Sequence, residues 1–454
     1  MCKVPYGPPR IRPRAPGARK VHASLVVLLL LGMAGSAPAL TLLTAAKQGL
    51  FRSPSPDAAR ALVRVTGDAA LRALHDPTCP ATSSVRFALS RTGADFEDHG
   101  EVDLGCAGWR REGRGYRYRG TAGGVREVLY GPRRLLLRGG GPGFTAVKGP
   151  AAYVEAWLTI GGERYLVRFH TFRQNRAERI VTRRPTAHAA AGEAAFWDTL
   201  WADRPRADEA LALLTRAVRR DAGDGRSQFL LGMLRLYRAA GDPASFDFTH
   251  PTEAGMAEIR AAQEPFARAV ELLPLDTRVP GFRAAATYAD GFVHGDVTES
   301  ALGLAQLDEA IAANALFDAF DLFAVVAPIT PGGSAYYQSR VLGLVDFVLK
   351  DNLTCPAVVP HTCGNDGMAP HNFEGTLLEL GDLYAKGGRL ADAQQWYGVA
   401  QAFGRSFHYR YQAIADDRVA HAAERVALYQ DADPGNDPPV LGGGGAACVY
   451  CHNK

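Results

Sequence analysis

The sequence predicts an α+β protein: an N-terminal antiparallel β domain followed by an all-α array of helical hairpins. Two observations lead to this reading. Between residues 84 and 185 apolar and polar residues alternate in short runs separated by Gly-rich turns. From residue 205 to about 430 the apolar period becomes that of a helix and stays so. With 454 residues, 47% hydrophobic and 22% charged, the chain has a globular balance and the length for two or three folded units.

Residues 1–39 stand apart from that fold. Lys3, Arg10, Arg12, Arg14, Arg19 and Lys20 precede the apolar run Leu25 to Leu31, which is followed by Ala37-Pro38-Ala39. A basic region, a short apolar stretch and a small-residue site together form a secretory signal, which predicts a mature chain starting at Leu40 and a periplasmic or secreted protein. The alternative is an uncleaved anchor, because the uncharged stretch from Ala23 to Ala46 is long enough to span a bilayer, although Gly32, Gly35, Ser36 and Pro38 weaken it. Membrane contact is expected only in that case.

Loss of those six positive charges turns the formal net charge of +4 into −2. Charge is also uneven within the remainder. Residues 107–185 hold 17 Lys and Arg against 5 Asp and Glu, whereas residues 186–454 hold 21 against 34. Outside the cytoplasm the basic part is not expected to meet nucleic acid. It suits an anionic partner or, more simply, the acidic half of the same chain.

Taken in order, Ala61, Leu62, Val65, Leu71 and Leu74 suggest a helical lead-in within residues 40–83. From Ser84 to Pro185 the period is two: Val85, Phe87 and Leu89 alternate, Tyr116-Arg117-Tyr118 and Val125 to Tyr130 read as strands, and Gly123-Gly124 and Gly139 to Gly141 read as turns. The strongest local signal is a hairpin. Val154, Ala156, Leu158 and Ile160 share one face, Gly161-Gly162 supplies a positive-φ turn, and Tyr165, Val167 and Phe169 return. Residues 186–204 read as an Ala-rich linker, 205–430 as the helical array, 431–447 as a Pro/Gly-rich linker and 448–454 as a terminal motif.

Within the array, Leu380-Gly381-Asp382-Leu383-Tyr384 is followed by Gly388, Ala393, Tyr397 and Ala400. This pattern resembles the tetratricopeptide repeat, a helical hairpin of 34 residues. Ala262, Phe266, Ala269 and Pro274 match its second half, and Ala210, Leu214 and Ala217 form a weaker copy. Between Leu231-Gly232 and Ala262 lies an insertion with Pro243, Phe246, Phe248 and Pro251, and residues 295–350 do not phase. The resemblance implies a curved, generally non-enzymatic array whose concave face binds a peptide or protein. A generic stack of α-hairpins is the alternative, with the same architecture. No Gly-rich phosphate loop, Gly-x-Ser-x-Gly elbow or His-Glu-x-x-His helix occurs. Asp416-Asp417, Asp431 and Asp433 read as solvated or linker acids rather than catalytic pairs.

Export changes the meaning of the seven cysteines, since Cys2 leaves with the signal. Cys79 with Cys106, and Cys355 with Cys363, are expected as disulfides, because each pair is local and neither carries the adjacent histidines of a zinc site. The third pair lies in Cys448-Val449-Tyr450-Cys451-His452, which resembles the haem attachment motif of c-type cytochromes. Composition gives such a motif a chance expectation of about 0.003 per chain. The resemblance implies covalent haem c held by thioethers at Cys448 and Cys451, with His452 as the proximal iron ligand.

An ordinary cytochrome places this motif early and folds later residues over the haem, but here only Asn453 and Lys454 follow. The distal ligand is therefore expected upstream. Met368-Ala369-Pro370-His371-Asn372 is the first choice, with His371 preferred and His408 and His421 as alternatives. A truncated cytochrome domain and a plain redox disulfide remain open. Three functions follow: a haem-carrying electron-transfer protein with a redox partner, a haem-free peptide-binding scaffold, and a thiol-disulfide or peroxidase-like enzyme.

Overall fold

Strand alternation, not helical spacing, governs the chain from its first described residues. The computed structural model describes residues 40–44, 46–54, 59–92, 97–141, 144, 147–201, 206–239, 251–352, 362–363, 371–431 and 433–441. β1 (Leu40–Leu42), β2 (Ala46–Arg52) and β3 (Arg60–Thr66) replace the helical lead-in expected within residues 40–83, where Ala69–Leu71 forms a short 3-10 turn. The cause is a period of two: Ala61, Val63 and Val65 are buried, whereas Leu62 is only half-buried. Helical spacing had grouped Ala61 with Leu62 and passed over Val63.

Ten further strands complete the β region among the described residues. They are β4 (Ser83–Ser90), β5 (Glu97–Asp103), β6 (Trp109–Glu112), β7 (Gly115–Arg119), β8 (Val125–Gly131), β9 (Arg134–Gly140), β10 (Tyr153–Ile160), β11 (Glu163–Phe169), β12 (Phe172–Arg176) and β13 (Arg179–Thr182). They form a five-stranded sheet in the order β1-β11-β10-β4-β5 and an eight-stranded sheet in the order β12-β13-β2-β3-β9-β8-β7-β6. Pairing is antiparallel throughout these two sheets except for β1 with β11.

The inner faces share one core, in which Phe51 of the larger sheet meets Phe87 and Phe169 of the smaller at 5.9 and 6.2 Å between ring centres. The β domain therefore already includes Leu40–Leu42, well before residue 84. The predicted hairpin is present in register, with Leu158 opposite Tyr165 and Ala156 opposite Val167, and Gly161 and Gly162 turn at φ 60° and 86°. Gly139 and Gly140 continue β9 rather than turning.

The expected linker at 186–204 is largely a helix, α1 (Ala187–Trp201). Its alanines are the strongest helix formers, the Thr186 hydroxyl accepts from the Ala189 amide at its start, and Phe196, Trp197 and Leu200 are buried. Composition had suggested a linker because the apolar stripe is made mostly of alanine. The helices continue as α2 (Ala207–Arg220), α3 (Gly225–Ala239), α4 (Glu253–Leu272), α5 (Val279–His294), α6 (Val297–Ala313) and α7 (Ala315–Val325). α8 (Leu342–Asp346) is flanked by π-helical turns, and α9 (Phe373–Lys386), α10 (Leu390–Phe407), α11 (Gln412–Ala420) and α12 (Ala422–Gln430) follow. A short ladder, β14 (Thr362–Cys363) with β15 (His371–Asn372), precedes α9. No helix among the described residues is long and apolar enough to cross a membrane.

Neighbouring helices touch through small residues, as the apolar pattern predicts. A Cβ on Gly381 of α9 would lie 2.6 Å from the Tyr397 ring of α10, and one on Gly232 of α3 would lie 2.8 Å from the Phe266 ring of α4. Two alanine substitutions within one hairpin should therefore act in opposite directions. Gly381→Ala forces Tyr397 to move and is expected to cost about 1–3 kcal/mol despite its better helix propensity. Gly398→Ala meets nothing within 4 Å and should stabilise by about 0.5–1 kcal/mol. Urea unfolding of both variants checks this, and a stabilising Gly381→Ala would remove the close contact as the reason for the glycine.

The helical half leans on the β sandwich through polar contacts. The Thr277 amide donates to the Thr92 carbonyl at 2.7 Å, the Arg278 guanidinium lies 4.5 Å from the centre of the Tyr153 ring, and Lys47 pairs with Glu193 of α1 at 3.3 Å.

Candidate functional site at the C-terminal end

Asp382, on the inner side of α9, is fully buried and gathers four donors. Tyr397 Oη donates to Oδ1 at 2.5 Å, Arg418 Nε at 3.0 Å and Arg425 Nη2 at 3.0 Å, while the Leu441 amide donates to Oδ2 at 2.8 Å. Burial alone would raise the carboxyl pKa, but Arg418 and Arg425 more than offset this and hold it below the usual carboxylate range. The same arginines reach the chain beyond α12. Arg425 Nη2 donates to the Pro439 carbonyl at 2.9 Å, and Tyr429 Oη donates to the Pro438 carbonyl at 2.7 Å. Val440 and Leu441 are buried as a result. The part of the expected 431–447 linker from Pro438 to Leu441 is thus docked on the array, seven residues ahead of Cys448.

At the other end of α9, Glu374 is 1% exposed, and its Oε2 has no hydrogen-bond partner among the described residues. Burial pushes this carboxyl up to about 7 from an ordinary value of 4.5. The folded state therefore binds the proton more tightly than the unfolded chain, and this group makes folding less favourable as pH rises from 4.5 to 7. Glu374→Gln should remove the loss, leaving the variant more stable than wild type at pH 8 by about 1–3 kcal/mol and nearly equal at pH 4.5. Thermal unfolding at the two pH values measures this, and equal differences at both would exclude the mechanism.

A groove of about 460 Å³ opens where the end of α6 and the start of α7 meet α8, lined by Ile311, Ala315, Gly343, Leu344 and Phe347 with Ser339 and Arg340 at its polar side. Arg340 is held there by Asp308 at 2.6 Å.

The predicted site residues fall as follows. Cys79 and Cys106 form a disulfide with Cα atoms 4.8 Å apart. Cys363 and His371 face one another as backbone partners across the β14–β15 ladder. Cys355, Met368, Cys448, Cys451 and His452 lie outside the described residues. His408 ends α10 with a left-handed backbone at φ 58°, and His421, at the α11–α12 junction, sets Nδ1 2.9 Å from Asp417 Oδ1; both are exposed. The acidic pairs behave as surface groups, with Asp416 accepting from Gln401, Gln412 and Arg405, and Asp431 and Asp433 closing a local turn. Among the described residues no group of three or more His, Cys, Asp or Glu side chains could hold a metal ion. The Asp382 cluster escaped the sequence reading because Asp382, Arg418, Arg425 and Leu441 are far apart along the chain, and no motif joins them.

Comparison with known proteins finds no matching family, no matching curated protein and no matching solved structure.

Proposed function

We propose that this chain is an exported protein-interaction scaffold of tetratricopeptide-like hairpins that carries a covalent c-type haem at its C-terminal motif. The observation that carries the reading is Cys448-Val449-Tyr450-Cys451-His452, in which two thiols and an imidazole stand at the spacing that haem attachment requires. The basic and apolar leader supports export, and the Cys79–Cys106 disulfide fits an oxidising compartment. The small-against-large contacts of Gly381 with Tyr397 and Gly232 with Phe266 support the repeat-like packing. The docked segment Pro438 to Leu441 supports a fixed point from which the motif is presented beside the last hairpin.

Cys448 and Cys451 would hold the porphyrin, His452 would be the proximal ligand, and His371 is the proposed distal ligand. Bound haem would supply one-electron chemistry to a redox partner, or peroxide chemistry if the sixth position stays open. In the haem-free alternative, the groove beside α8 takes an apolar peptide segment.

Expression of the full chain in a host competent in cytochrome maturation tests the proposal. Haem that survives denaturation is expected in wild type and is lost completely in Cys448→Ala/Cys451→Ala. Covalent haem in the double variant would overturn attachment at Cys448 and Cys451, and none in wild type would leave the haem-free peptide-binding scaffold as the reading. His371→Ala should convert a low-spin spectrum to high-spin, and an unchanged spectrum would remove His371 from the site.

A further inference from the structure

A second site lies far from the terminal motif, in the seam between the β sandwich and the first helices. A cavity of about 30 Å³ is lined there by Lys47 of β2, Arg168 of β11, His170, Glu193 of α1, and Asp224 and Arg226 at the start of α3. A single water needs roughly 10–15 Å³, so the space suits one or two atoms of water size and excludes an organic ligand.

Polar groups with unmet hydrogen-bonding capacity line it. His170 is 4% exposed, and neither ring nitrogen has a partner among the described residues. Arg226 is 7% exposed, and its Nη1 has no acceptor among them. Buried donors left in this way are costly, and a ligand accepting from both would recover that cost.

Charge decides what that ligand is. Lys47, Arg168, Arg183 and Arg226 bring four cations to the lining, against Glu193 and Asp224 as its carboxylates, and Arg183 is turned to Asp221 at 2.5 Å. Glu193 is shared between Lys47 at 3.3 Å and Arg226 at 3.0 Å, and Glu155 holds Arg168 at 2.7 Å. Asp224 turns its oxygens to the Ser227 hydroxyl and amide at 2.7 and 3.3 Å, and burial raises its pKa above the ordinary carboxylate value. The surroundings keep His170 neutral, through burial first and then through Arg226, Arg168, Arg278 and Lys47. Arg226 and Ser227 also stand in the first turn of α3, where the helix presents its positive end. A water would complete the hydrogen bonds but leave a lining with more cations than carboxylates.

We propose that this cavity is a small-anion site of halide size, in which Arg226 and His170 donate to the ion while Lys47 and Arg168 balance its charge. The site does not depend on haem. Its role is to complete the seam between the two halves, so the ion should act as a structural ligand that binds the folded protein alone.

Bromide is the probe. Crystals of the full chain soaked in sodium bromide should show an anomalous peak in the cavity. In solution, sodium chloride exchanged against sodium gluconate at constant ionic strength should raise the thermal midpoint logarithmically, by about 1–3 °C per tenfold rise above the dissociation constant. His170→Phe removes the ring donor and touches none of the ion pairs around it, and should abolish both the peak and the chloride dependence in a folded protein. A cavity holding water without an anomalous peak, or a chloride response that His170→Phe leaves unchanged, would overturn the proposal.

Discussion

Replacing Asp382 with alanine is expected to unfold the C-terminal end of the helical array. The substitution leaves Arg418 and Arg425 buried without their counter-charge, and it strands the Tyr397 hydroxyl and the Leu441 amide. Breaking a buried ion pair costs about 3–5 kcal/mol, and each orphaned donor adds about 1–3 kcal/mol, so a loss of about 5 kcal/mol or more is expected. That is a large share of the stability of an ordinary domain. Two measurements check it. The denaturant midpoint should fall steeply, and limited trypsin digestion should cut after Arg418 or Arg425, which the native pairing protects. A variant within about 1 kcal/mol of wild type would mean that the cluster does not hold the tail.

Glu193→Gln is the second substitution with a large effect, and its consequence depends on pH. Glu193 answers two cations at once, Lys47 of the β sandwich and Arg226 of α3, so it fastens the two halves to each other. Burial alone would raise its carboxyl, yet Lys47 and Arg226 bring it down to about 2 from an ordinary value of 4.5. A depressed folded-state pKa gives stability that is fully present above 4.5 and is lost as pH falls through about 2. Wild type should therefore lose about 3 kcal/mol from this group across that interval. Glu193→Gln should start about 3–5 kcal/mol lower at pH 7 and lack this part of the acid slope. Parallel acid limbs in the two proteins would assign the slope to other carboxyls.

What the sequence made legible was whatever is local along the chain. The Val154 to Phe169 hairpin announced itself because alternation and the Gly161-Gly162 turn agree within sixteen positions. The Cys79–Cys106 pairing was readable because the two cysteines bracket β4 and β5. The contact between Gly381 and Tyr397 was readable because helical period fixes which residues face across a hairpin. Residues 40–66 misled because Ala61, Leu62 and Val65 satisfy a helical spacing by coincidence, while β3 is held between β2 and β9, the latter some seventy positions away. In the same way α1 was hidden by alanines, which satisfy a linker and a helix equally well until Phe196 and Trp197 find their pocket. Neither the Asp382 cluster nor the cavity at Arg226 could be read at all. The first joins α9 to α12 and the tail beyond them, the second joins the β sandwich to the first helices, and in both the elements meet only on packing, while lone arginines in sequence look like solvated surface.

The docking of Pro438 to Leu441 has one more consequence, which concerns concentration rather than structure. With Leu441 held against α9, the seven residues up to Cys448 can span at most about 25 Å, which confines the motif to a small sphere around the end of the array. One molecule within that radius corresponds to an effective concentration of about 30 mM. Any surface inside the sphere, on this chain or on a partner seated there, meets the motif at that concentration whatever the amount of protein in solution. A contact with a dissociation constant of only about 1 mM would then be occupied most of the time.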